Sequence, residues 1–329
     1  MRTRALALAA LTLVGCGRPD GAGELPLVRV AIQPFFAYAP FYLAEAEGYF
    51  RDAGMRVELV KVNRTHEALP ALLGGDLDVL PGTAASAVLS AMARGAPIRF
   101  VADKGIMSND KCSSMTIVVR SDFPLEQAAT RFRRITLSRD APTQYLVSRA
   151  LASQGIVLDS IETVLLPDGV DAEALRTGAI DGTAGGEPWQ TRLRRQIEIK
   201  PWLEIETYSP EHQFSFVIFG ERLLRTDRDL GIRFLAAFRR GVARYLEGAT
   251  ERNVEILAAA TGEERSILAD ACWPPMRASG RIGLESVLDY QRWALEHGYL
   301  DQLASPEQMW DSTLVAATDT ILSRWNERP

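Results

Sequence analysis

A pattern that occurs twice constrains this chain more than any other feature. The first copy reads Ala71-Leu72-Leu73-Gly74-Gly75-Asp76-Leu77-Asp78-Val79-Leu80-Pro81-Gly82-Thr83, and the second reads Ala174-Leu175-Arg176-Thr177-Gly178-Ala179-Ile180-Asp181-Gly182-Thr183-Ala184-Gly185-Gly186-Glu187-Pro188-Trp189. With Leu72 set on Leu175, Gly75 meets Gly178, Leu77 meets Ile180, Asp78 meets Asp181 and Gly82 meets Gly185. Each copy has the parts of a βα crossover unit: a short helix ending at a glycine able to take the left-handed C′ conformation, a brief apolar strand, and a glycine-containing loop that opens the next helix. Such loops lie at the carboxyl ends of parallel strands, the edge where open α/β sheets take ligands. Two such edges, one in each half of the chain, predict two lobes closing on one ligand.

The chain is long enough for this, since 329 residues at 47% hydrophobic and 24% charged suit two modest domains. Its net charge is −5. No basic field exists to hold a phosphate backbone, so nucleic acid is not expected as a partner.

Residues 1–16 carry a basic start (Arg2, Arg4), an apolar run from Ala5 to Leu13, and the closing Leu13-Val14-Gly15-Cys16. That run is too short to span a bilayer, and the arrangement looks like a secretory signal ending in a bacterial lipobox, with Cys16 as the lipidated first mature residue. Residues 17–26 then form a flexible tether. At ~0.8 kcal/mol per buried CH₂, two or three acyl chains would anchor the protein to a membrane without spanning it. The other cysteines, Cys112 and Cys272, have two readings, a pair formed in an oxidising compartment or two buried free thiols, and the second is preferred here.

Leu27 to Ile32 alternates as a first strand, Gln33 to Pro40 forms an aromatic loop, a helix starts at Pro40, and Val57 to Val62 makes the next strand. The segments Tyr38-Ala39-Pro40-Phe41-Tyr42-Leu43-Ala44-Glu45, Glu47-Gly48-Tyr49-Phe50 and Ala53-Gly54-Met55-Arg56-Val57-Glu58 resemble the opening of the ABC-transporter substrate-binding family that includes nitrate, sulfonate, taurine and thiamine-pyrimidine-precursor binders. Leu72 to Asp78, Leu175 to Asp181 and Glu187-Pro188-Trp189 resemble its paired elements, and the similarity runs over most of residues 27–320. One departure is Gln127 to Arg134, where the family has Asp-Leu-Lys-Gly-Lys. The resemblance implies an α/β, two-lobed periplasmic-binding-protein fold, each lobe a doubly wound mixed sheet flanked by helices. Lobe 1 is expected at 27–104 and 212–329 and lobe 2 at 105–211, with strands at 97–102, 115–119 and 212–219, a polar hinge-side loop from Lys104 to Ser114, and C-terminal helices returning to lobe 1.

Catalytic signatures are absent: there is no Gly-x-Ser-x-Gly, Walker loop or His-Glu-x-x-His, and His66, His212 and His297 lack metal-ligand spacing. No cofactor or metal is expected. Candidate ligand groups are the helix starts facing the cleft, where free N–H groups favour anionic or polar groups: Pro40, Thr83 with Ala84, Thr143, and Glu187 with Trp189. Thr83, Ser86 and Thr143 equally suit capping of their own helices. Phe35, Phe36 and Tyr38 offer stacking on an organic ligand, with at least one spent on core packing. Glu187 suits either a hydrogen bond to a cationic or amino-bearing ligand or a favourable charge in its helix's first turn, and the ligand role is preferred here. Arg139 is the one cation beside a strand end, so an anionic ligand stays open. The expected protein is a monomeric, exported, lipid-anchored binder, not an enzyme, that delivers a small organic molecule to an ABC permease and ATPase. The alternatives are a pyrimidine-synthase-like enzyme on the same fold and a ligand-sensing module of a membrane receptor.

Overall fold

The computed structural model describes residues 24–326, apart from 63–64, 109–111, 114, 138–139 and 168. The signal-like segment with Cys16, the tether as far as residue 23, and Arg139 lie outside the described residues.

The strands are β1 (Leu27–Ile32), β2 (Arg56–Lys61), β3 (Gly82–Thr83), β4 (Arg99–Ile106), β5 (Thr116–Arg120), β6 (Arg134–Thr136), β7 (Glu162–Val164), β8 (Gly182–Gly185), β9 (Ile199–Glu204) and β10 (Gln213–Phe219). In the first sheet β2 pairs with β1 in parallel and β10 lies between β3 and β4, antiparallel to both. Val79 joins these parts, bridging Val30 on one side and Phe219 on the other. The second sheet runs β7-β6-β8-β5-β9, with β5 antiparallel to its neighbours. The two orders match position for position. In each, the repeat supplies the third strand, and the antiparallel strand is the one on which the chain arrives from the other lobe.

The repeat works locally as its residues dictate. The helix Leu69–Gly74 ends at Gly75 with φ 82°, and Asp171–Thr177 ends at Gly178 with φ 71°. Left-handed values like these suit glycine, which has no Cβ to clash. Asp78 accepts the Arg29 N–H at 2.9 Å, fixing β1 beside the first copy. Asp181 accepts the N–H groups of Arg133 and Arg134 at 2.7 and 2.8 Å, fixing β6 beside the second.

β4 runs on to Ile106, past its expected end at Ala102. Asp103, beyond the expected strand, and Lys104, expected to open the hinge-side loop, therefore lie in the sheet, because β10 supplies ladder partners as far as Ile106. The chain leaves for the second lobe between β4 and β5 and returns between the helix Ile205–Tyr208 and β10.

The helix Arg228–Tyr245 packs on the first lobe through Phe238, 4.6 Å from Phe41, and Phe234, 5.0 Å from Phe50. Each ring so buried is worth roughly 1.5–3 kcal/mol. The helix Leu284–Glu296 returns to β10 of lobe 1, where Ser286 Oγ accepts the Gln213 N–H at 2.9 Å, and it makes a second contact as well. It meets Ala141–Ala152 of the second lobe, with Tyr145 5.6 Å from Tyr290 and 5.3 Å from Trp293. Tyr299, just beyond it, donates to Gln144 Oε1 at 2.6 Å.

The expectation of two free thiols is corrected. Cys112 and Cys272 are disulfide-bonded, with Cα atoms 6.2 Å apart across a sequence separation of 160, inside the usual range for a bridge. Residues 275–280 run along β4, where Asp103 N–H donates to Gly280 O at 2.8 Å. That strip carries Cys272 to the crossing segment holding Cys112.

Candidate functional site

The three aromatics after β1 have different fates. Phe36 is buried against Trp273, centroids 4.8 Å apart, and belongs to the core while also reaching a recess beside Phe35. Tyr38 is buried too, but its hydroxyl lies 2.8 Å from Gln33 Oε1 and 3.1 Å from Pro81 O, which share its one proton, tying the loop to the end of the first repeat copy. Phe35 is 48% exposed and stands at the rim. Pro40 opens the helix Ala39–Ala46. It is buried, and its carbonyl lies where a side chain on Gly241 would have to stand. Its place is a helix–helix contact.

Phe35 looks across a small recess at Pro188, the residue after Glu187 in the second copy. Phe36, Pro34, Tyr42, Leu257 and Glu263 are among its other walls. The loops at the carboxyl ends of β1 and β8 thus face one another. The helix Trp189–Gln196 is tied to the C-terminal region by an Arg192–Glu263 ion pair and by Arg195, which donates to Ser266 Oγ at 2.8 Å and pairs with Asp270 at 2.6 Å. Each exposed pair contributes ~1 kcal/mol at most.

Thr83 pairs with Ser215 in the sheet and Ala84 is buried beside it. Thr143 is buried inside a helix cap: its N–H and its hydroxyl both donate to Asp140 Oδ2, at 3.3 and 2.9 Å. Glu187 is buried, and its partners all lie on the following helix. Oε2 accepts from Thr191 N–H at 3.0 Å, while Oε1 accepts from Thr191 Oγ1 at 3.0 Å and from the Arg194 guanidinium at 3.1 Å. Of the two readings of Glu187, these bonds favour the helix-start one. Trp189 lies along Gly185 and donates from Nε1 to Asp171 Oδ2 at 3.3 Å, turning its ring to the second lobe's own apolar cluster.

The residue that sequence reasoning passed over is Lys104. Its Nζ lies 3.9 Å from the centroid of the Tyr38 ring, and only 2% of the residue is exposed. Burial lowers its pKa from 10.5 to about 7, against the opposing pull of Asp103. Asp103 itself is engaged by Gln213 Nε2 at 2.6 Å, Gly105 N–H at 3.0 Å and Arg277 N–H at 2.7 Å, and burial raises its pKa. The signal was present as a charged pair closing the apolar run Phe100-Val101-Ala102. His212 is buried near Tyr145, and desolvation, then Arg149, brings its pKa down to about 4. His297 stacks on Trp293 at the surface. Among the described residues no group of His, Cys, Asp or Glu is arranged to hold a metal ion, and no helix is long and apolar enough to cross a membrane.

A family model described as NMT1/THI5 like matches residues 36–251. A search of curated protein sequences gave no match. Among solved structures, the chain is similar to the ligand-binding component of an ABC-type import system from Staphylococcus aureus, solved with zinc bound. The identity is 13% and the TM-score 0.72, over 88% of this chain and 98% of that one. The periplasmic aliphatic sulphonate-binding protein SsuA from Escherichia coli is 17% identical at a TM-score of 0.68, over 87% of this chain and 92% of that one. The desulfurization enzyme DSZB is 16% identical at a TM-score of 0.61, over 90% and 99%. At these identities the likeness establishes the fold, a two-lobed periplasmic-binding-protein fold.

Proposed function

The chain belongs to the NMT1/THI5 like family, and from that premise we propose that it is an exported solute-binding protein. It captures a small organic molecule between its lobes and delivers it to an ABC importer. The observation that carries this reading is that the β1 and β8 loops meet, Phe35 and Pro188 lining one recess of about 10 Å³, a water-sized gap that a ligand would have to open. Strand-end loops from two sheets meeting over one space are what a ligand clamp requires. The two chain crossings serve as its hinge, dividing 27–104 and 212–329 from 105–211. Cys16 carries the lipid that keeps the protein at the membrane.

Two measurements test the reading. A thermal-shift screen of small organic molecules should find a stabilising ligand, and small-angle scattering should then show a smaller radius of gyration at saturation. An unchanged radius would point to a rigid pocket. Separately, Cys16→Ser should move the protein from the membrane fraction to the soluble one, and equal membrane association of mutant and wild type would remove the anchor from the proposal.

One observation favours an enzyme instead, the likeness to DSZB. Against it stand the described histidines with resolved surroundings. His212 is buried against Tyr145, and His297 is stacked on Trp293. Neither lines the recess.

A further inference from the structure

Lys104 stands at the carboxyl end of β4, on the sheet edge that also carries the Tyr38 loop, just before the chain crosses to the second lobe. Among the described residues its ammonium has neither an ion pair nor a hydrogen bond; its contact is the face of the Tyr38 ring. Asp103 points its carboxylate to the other side of the strand, where Gln213 and Arg277 use it. A desolvated cation is costly unless paired, and an aromatic face returns only part of that cost. The arrangement is a buried ammonium that has no carboxylate paired with it among the described residues.

Resting on the capture reading above, we propose that Lys104 is the anion anchor of the interlobe site: it takes a carboxylate, sulfonate or phosphate group of the ligand, whose organic body lies on the Tyr38 side. The charge balance of the site supports this. Glu187, the carboxylate that would suit an amino-bearing ligand, has Thr191 and Arg194 as partners. The groups bearing on Lys104 are Asp103 from its own strand and the Tyr38 ring from the β1 loop.

The test uses aromatic probes of one size: benzoate, benzenesulfonate and phenyl phosphate against benzyl alcohol and benzylamine. Thermal shift and calorimetry are run on wild type, Lys104→Met and Lys104→Arg. Wild type should bind at least one anionic probe in preference to the alcohol and the amine. Lys104→Met should bind it about ten- to hundredfold more weakly, while Lys104→Arg keeps the preference. A second readout needs no variant. Benzenesulfonate does not titrate, so its affinity for wild type should fall about tenfold per pH unit above about 7 as the lysine loses its proton. The same profile should be flat in Lys104→Met. Equal anionic affinity in wild type and Lys104→Met, or a preference for the amine, would overturn the anchor and leave the capture reading standing. Failure of every probe to bind wild type would overturn the anchor and count against capture as well.

Discussion

The two copies of the repeat agree where they build the sheet and differ where they meet the cleft. Gly75 and Gly178 close their helices in the same left-handed conformation. Asp78 and Asp181 each accept the N–H of an arginine in the neighbouring parallel strand. Beyond Gly82 and Gly185 the likeness stops. The first copy leads into Ser86–Ala93, a helix of small and apolar residues. The second leads into Trp189–Gln196, which holds Arg192, Arg194 and Arg195 and reaches the C-terminal helices by ion pairs. The framework is duplicated and the lip is not, so among the described residues one lobe offers a smooth wall with the buried Lys104 behind it and the other a charged grip.

The hidden cation should show the largest effect. Lys104 has a folded pKa of about 7 against 10.5 unfolded, so between those values the unfolded chain binds more protons and stability rises with pH. Below about pH 7 the full penalty is present. Lys104→Met should therefore stabilise the ligand-free protein at pH 6 by on the order of a few kcal/mol, an advantage that shrinks as pH climbs toward 10. Urea unfolding over that range would read it, and parallel curves for the two proteins would make the first lip as neutral as its helix.

Next come the paired aspartates. Asp78 is buried and also receives the Arg222 guanidinium at 3.2 Å, whereas the bonds to Asp181 come from backbone N–H groups alone. Asp78→Ala should cost about 2–3 kcal/mol and Asp181→Ala about 1–2 kcal/mol. Equal losses would mean that Arg222 adds nothing. Glu187→Ala probes the second lip. Loss of its bonds to the helix start should lower stability by about 1–2 kcal/mol with affinity for an anionic probe unchanged. A weakened Kd at constant Tm would return Glu187 to the ligand. The smallest effects belong to the framework: Gly75→Ala and Gly178→Ala should each cost about 1 kcal/mol, since both impose a Cβ at positive φ. A marked difference between them would assign the cause to Arg120, whose guanidinium lies 3.4 Å from the added carbon at Gly178 and has no counterpart at Gly75.

What could be read from the sequence was local. The alternation of Leu27 to Ile32 and the glycines closing two helices announced themselves, because their causes lie within a few residues. β9 did not, since Pro201 interrupts it and Pro is tolerated in a strand that pairs on one side only. Contacts between distant segments were out of reach. Nothing near Phe36 says that Trp273 will cover it while Phe35 stays in solvent. The Cys112–Cys272 bridge depends on how the strip 275–280 runs beside β4. Lys104 combined both difficulties, for its strand is set by β10 and its burial by the β1 loop.

The exchange of antiparallel strands has a consequence for synthesis. β5 to β9 follow one another without interruption, so the second sheet has all its strands once Glu204 has left the ribosome. The first sheet begins earlier yet stays open until β10, Gln213–Phe219, arrives to fill the place between β3 and β4. In vectorial emergence the later lobe is thus the first able to finish. The earlier one waits with β4 presenting an unpaired ladder, a template for wrong pairing. A chain whose emergence has halted between Tyr208 and Gln213 would hold one complete sheet and one exposed edge, and that window is where a holdase would have most to protect.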